Sequence, residues 1–127
     1  MYMAREKLPG RRKSWTHKVR ISGQTYYLTF GEYPDGRLGE VFVDAHKEGT
    51  FTRGVLGALA RLLSIALQSG SSVQDVAAVL RHLNFSPNGS VEGSSAVTRA
   101  DSVVDWIAQE MLARYGEEGH QDGPKSS

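Results

Sequence analysis

The 127-residue sequence contains no cysteine. For these residues, a disulfide framework, a zinc–thiolate site, an iron–sulfur cluster and thiol catalysis are all excluded. Net charge is also scarce, with 15 Lys and Arg against 14 Asp and Glu, a formal +1. That balance argues against a dedicated nucleic-acid binder, and no DNA partner is expected. Long hydrophobic runs are missing too. The longest, 55–67, is interrupted by Gly57, Arg61 and Ser64 and is too short to cross a bilayer. Residues 1–14 have no apolar core of the kind a signal peptide needs. We therefore expect no membrane partner and a cytoplasmic protein.

What is present suits one small domain. Two Trp, five Tyr and four Phe can supply a core. Near the start, Arg5, Lys7, Arg11, Arg12, Lys13, Lys18 and Arg20 face one acid, Glu6. Such a cluster suits either an anion or a solvated basic arm. From Trp15 the residues alternate: Trp15, Val19 and Ile21 share one strand face, and Thr16, Lys18 and Arg20 the other. Ser22-Gly23 marks a hairpin, and the return strand 24–33 alternates again through Tyr26, Leu28 and Phe30. Pro34-Asp35-Gly36 forms a turn because proline presets φ and glycine accepts positive φ. A third strand, 38–45, ends at a charged corner, His46-Lys47-Glu48-Gly49.

Helical spacing then takes over. Val55, Leu56, Leu59, Leu62, Leu63, Ala66 and Leu67 predict a long central helix over 52–69, stopped by Gly70. It carries more apolar surface than its neighbours can cover, which points to a subunit interface. Ser72 and Asp75 form the start signal of a second helix. Residues 84–97 read as a loop, and a last helix is expected from 98–101 to 115. The expectation is an α+β fold, a three-stranded antiparallel meander packed against a long central helix plus two further helices. Residues 1–13 form a basic N-terminal arm, 14–116 a single domain and 117–127 a disordered tail.

Catalytic motifs are weak. Asp44, His46 and Glu48 lie close together but show no third group and no pocket, so a polar strand end is the favoured reading. His17, His82 and His120 are isolated, and neither HxxxH nor HExxH occurs. No metal and no cofactor is expected. The 84–97 segment is the better candidate, because Phe85 can stack on a flat ring while Asn88 and Ser95 bond its edges. Arg53 and Arg99 fall at expected helix starts, where free N–H groups favour anions. Phe85 serves equally well as a cap on the core.

Residues 8–14 (LPGRRKS), 31–49 (GEYPDGRLGEVFVDAHKEG) and 64–70 (SIALQSG), followed by FSPNGSVEG at 85–93 and ADSVVDW at 100–106, carry a resemblance. Together they resemble a domain near the C-terminal end of adenosylcobalamin-dependent ribonucleotide reductases, over about residues 5–115. The usual Thr-Arg-Phe-Glu-Pro of that domain is replaced at 83–87 by Leu83, Asn84, Phe85, Ser86 and Pro87. The radical cysteine, the barrel and the cobalamin site have no counterpart.

The detached form is also similar to small phage proteins that counter the Thoeris defence. That resemblance implies a non-enzymatic sponge that sequesters a cyclic ADP-ribose isomer or a cyclic oligonucleotide in the host cytoplasm. It implies a homo-oligomer, at least a dimer and by resemblance a hexamer. It implies Arg53, Phe85, Arg99 and Arg114 as the site's arginines and aromatic, and with Asn88 and Ser95 of the 84–97 loop they would form a ligand pocket at a subunit interface. The alternative is a free-standing reductase accessory domain that binds a reductase or regulates nucleotide metabolism. A cyclic-nucleotide hydrolase would need a general base and usually a metal, and neither constellation is present.

Overall fold

The strand pairings follow from the alternation. In a computed structural model, which describes residues 4–47 and 49–116, β1 (Ser14–Ile21), β2 (Gln24–Glu32) and β3 (Leu38–Ala45) form the expected meander. Val19 pairs with Tyr26, Leu28 with Val43 and Phe30 with Val41, so the apolar sets of all three strands share one face. The β1–β2 turn places Ser22 at φ 53° and Gly23 at φ 83°, two left-handed residues whose twist matches the strands.

The sheet has five strands, in the order β3-β2-β1-β4-β5. The additional pair, β4 (Gly89–Glu92) and β5 (Arg99–Ala100), lies within and just after the segment read as a loop. Strands this short carry too little alternation to register as a period. They form because Ile21 of β1 offers a partner to Val91 and Ala100 closes on Gly89.

Helix α1 (Thr50–Gln68) buries Leu56, Ala60, Leu63 and Leu67. Each large apolar side chain so buried contributes about 1.5–3 kcal/mol. The helix also closes the outer edge of β3. Val41 N–H donates to Ser64 Oγ at 2.9 Å, and Gln68 Nε2 donates to Gly39 O at 2.9 Å. An unpaired strand edge is thereby satisfied by a helix. Among the described residues α1 alone is long and apolar enough to cross a membrane by length and composition. The interrupted run 55–67 underestimated it, because polar residues at both ends extend the helix. A core helix passes the same test, and α1 makes core contacts.

Helix α2 (Val73–Leu80) begins as expected, with Ser72 Oγ accepting from Asp75 N. Helix α3 (Val103–Tyr115) starts later than 98–101, because Ser102 caps it by accepting from Asp105 N. α3 inserts Trp106, Ile107 and Met111 into the core beside Tyr26, Leu28 and Phe30. Asp105, 1% exposed, joins the two helices. One of its oxygens accepts from Arg81 and from His82 N, and the other accepts from Asp101 N and Gln109 Nε2.

The described part of the basic arm is tied down. Arg12 grips Glu40 through two hydrogen bonds of 2.7 and 3.1 Å. Glu6 N–H donates to Gln68 O, and Tyr33 hydroxyl donates to Glu6 O. Glu48 and the expected tail at 117–127 lie outside the described residues.

Candidate functional site

Helical spacing brings Glu110 and Arg114, four residues apart on α3, to the same side as the helix-ending Tyr115. That side meets His17 of β1, Glu32 at the end of β2 and the 93–96 segment. Between them lies a cavity of about 670 Å³. The 93–96 segment passes close over β1 because residue 93 is glycine. At φ +102°, a Cβ there would stand 2.7 Å from Lys18 O. Ser94 Oγ then accepts from Ala96 N and Val97 N and shapes the turn.

The polar wall is rich in carboxylates. Glu110, 4% exposed, accepts from Trp106 Nε1 through Oε2 at 2.8 Å. Glu32 Oε2 accepts from Trp15 Nε1 at 3.0 Å and from the Tyr115 hydroxyl at 2.5 Å. Burial pushes the Tyr115 phenol well above its usual range, and the bond to Glu32 adds to the effect, so it stays protonated and donating. Arg114 lies over the Trp15 ring at 3.9 Å, with its Nε 3.9 Å from Glu32 Oε2. His17 sets its ring edge-on to Phe30, and its buried Nε2 has no hydrogen-bond partner among the described residues.

Of the residues expected from sequence to hold a ligand, Arg114 and Ser95 line this cavity. Arg53, Phe85, Asn88 and Arg99 do not. Arg53 clasps Asp44 at 2.9 and 3.2 Å on the first turn of α1. That bond, first among the causes, holds the Asp44 carboxyl below its ordinary value. Phe85 is 45% exposed and donates its N–H to Asp101 O. Asn88 donates to Asn84 Oδ1. Arg99 sits in β5 and not at a helix start, and its carbonyl accepts from Gln109.

His17, Glu32, Glu110 and Tyr115 escaped the sequence reading, since nothing local joins them. The one available signal was an acid at 110 on the face that also presents Trp106 and Met111. His82, Asp101 and Asp105 each bring a ligand atom within 4.8 Å of the others. Asp105 already accepts four hydrogen bonds there, so the cluster works as a structural tie.

An antiparallel sheet backed by three helices, with a polar cavity between sheet and last helix, defines a small α+β domain. The chain belongs to the TSCPD domain family, whose model matches residues 3–115. It is 38% identical over 111 residues to a vitamin B12-dependent ribonucleotide reductase of Agrobacterium fabrum, covering 87% of this chain and 9% of that protein. It is 39% identical over 111 residues to the reductase of that name from Bradyrhizobium diazoefficiens, again 87% and 9%. Against the Rhodopirellula baltica protein, identity is 41% over 105 residues, 83% of this chain and 10% of the relative. The chain thus spans about a tenth of the length of these curated relatives. No solved structure matches it.

These relatives correct the expectation of a phage anti-defence sponge for cyclic ADP-ribose. The match covers nearly the whole described chain and points to a reductase-associated domain instead. Phe85 and Arg99 line no part of the cavity, and the Arg53 guanidinium is engaged by Asp44.

Proposed function

We propose that this domain is a ribonucleotide-reductase-associated module that acts by binding and not by chemistry of its own. The observation that carries the reading is the match of residues 3–115 to a domain family found in much longer B12-dependent reductases. These 127 residues hold no cysteine, so any thiyl radical must come from elsewhere. The domain's contribution is then to hold a partner or ligand. The test is to mix it with a B12-dependent reductase lacking the corresponding segment, then measure co-elution and turnover. Association with a change in turnover supports the reading. Separate elution with unchanged turnover sinks it.

The α1 surface supports a second statement, self-association. Phe51, Val55, Ala58, Leu62 and Ile65 are exposed at alternating steps of four and three residues. Phe51 is 81% and Leu62 65% exposed. That spacing is the seam of a helix pair. A second copy offers the same seam from its own α1, and a two-fold dimer buries both at once.

A further inference from the structure

We infer that the cavity between α3 and the β1–β2 strands binds a ribonucleoside, with the sugar cis-diol on Glu32 and Glu110. The inference rests on the reductase-associated reading only in choosing a nucleoside among diols. The remainder comes from an imbalance of acceptors over donors.

Glu110 is buried, and among the described residues its one hydrogen bond is that which Trp106 gives to Oε2. Glu32 takes both of its hydrogen bonds on Oε2. In each carboxylate, Oε1 has no protein donor among the described residues. A buried carboxylate with spare lone pairs is costly unless donors reach it. The two Oε1 atoms open to the cavity, while His17 Nε2 on the same wall is the one fully buried side-chain polar atom without a partner among the described residues. Among the described residues that line the cavity the one guanidinium, Arg114, is spread over Trp15, with its Nε 3.9 Å from Glu32 Oε2. Two carboxylates against one cation repel a phosphate inside the cavity and favour a ligand that brings hydroxyl or amine hydrogens.

A ribose answers this pattern. Its 2′- and 3′-hydroxyls are adjacent donors, and a carboxylate accepting from a ribose hydroxyl is a recurrent solution for nucleotide sugars. The hydroxyls of Ser94 and Ser95 can give and accept along the rim. Arg114, about a third exposed, lines the cavity and presents a flat cation on which a base can stack. A phosphate on the 5′ carbon would then point outward, away from the acids. A volume of about 670 Å³ is ample for a nucleoside.

The probes are adenosine, guanosine, cytidine and uridine, their 2′-deoxy forms, and putrescine, titrated by calorimetry into the whole chain. At least one ribonucleoside is expected to bind, with its 2′-deoxy form weaker by about tenfold or more. Glu110→Gln should weaken binding by a similar factor. Ser95→Trp should block the mouth from an exposed loop position that the core does not depend on, so a folding failure at Glu110 leaves the site testable. Binding of putrescine alone, equal binding of ribo and deoxy forms, no binding at millimolar concentration, or full retention in Ser95→Trp would each overturn the inference. Association with a reductase is read separately. A domain that joins a reductase yet ignores ribonucleosides refutes this site alone, and one that binds ribonucleosides yet ignores a reductase refutes the reductase association alone.

Discussion

The Tyr115 hydroxyl, on the last residue of α3, donates to Glu32 Oε2 at 2.5 Å, across 83 residues of chain. This bond locks the end of the last helix to the end of the second strand and closes one wall of the cavity. A hydrogen bond to a charged acceptor contributes about 1.5–3 kcal/mol net. Tyr115→Phe should therefore lower the unfolding free energy by about that amount, measured by urea titration at neutral pH. The raised phenol also gives a sign. Stability linked to protonated Tyr115 is fully present below its unfolded pKa of 10.0 and is lost as pH rises through the higher folded value. The wild type should therefore lose its margin over the variant only in strong alkali. An equal margin at every pH would remove Tyr115 from the account.

Asp105 ties α2 to α3 in a site where an unpaired charge cannot be left. Asp105→Ala deprives Arg81 and the N–H groups of His82 and Asp101 of their acceptor, at a cost of about 3–5 kcal/mol. Burial works to raise the Asp105 pKa. The hydrogen bonds from Asp101 N, His82 N and Arg81 outweigh it and hold the carboxyl below its ordinary value. A depressed acid stabilises above its unfolded pKa of 3.8 and stops doing so as pH falls through the folded value. The gap between wild type and Asp105→Ala, followed by denaturant midpoint, should be wide at neutral pH and shrink under strong acid. A gap as wide in strong acid as at neutral pH would contradict the assignment.

Self-association is read on the α1 seam. Wild type is expected to give a dimer mass by light scattering at micromolar concentration. Leu62→Glu places a charge at the middle of the seam and should give a monomer. Leu62 is largely exposed, so the fold itself should change by no more than about 0.5 kcal/mol. A monomeric wild type would rule the seam out.

Much of the fold was legible locally. Strand alternation located the three long strands, and the strands pair as the turns at 22–23 and 34–36 require. Ser72 announced α2, and the step pattern of leucines announced α1. The missing pieces share a cause. β4 and β5 have four and two residues, and a period cannot be read from so few. Arg99 was placed at a helix start because the last helix was expected from 98–101, whereas Ser102 is the residue whose side chain accepts from the helix. Arg114 and Ser95 reached the cavity, but the chemistry around them was not visible from their neighbours.

By itself the sequence determined the absence of thiol chemistry, the apolar faces of each strand and helix, and membership of the family through its long motifs. Those properties depend on residue identity or on steps of two to four residues, which the chain carries locally. Only the tertiary structure decided that His17, Glu32, Glu110 and Tyr115 share one cavity, and that Arg53 is already bound by Asp44. Such encounters depend on register and packing between elements up to a hundred residues apart. Side chains meet there because the apolar faces must be buried together, and the polar groups carried along with them settle the chemistry of the site.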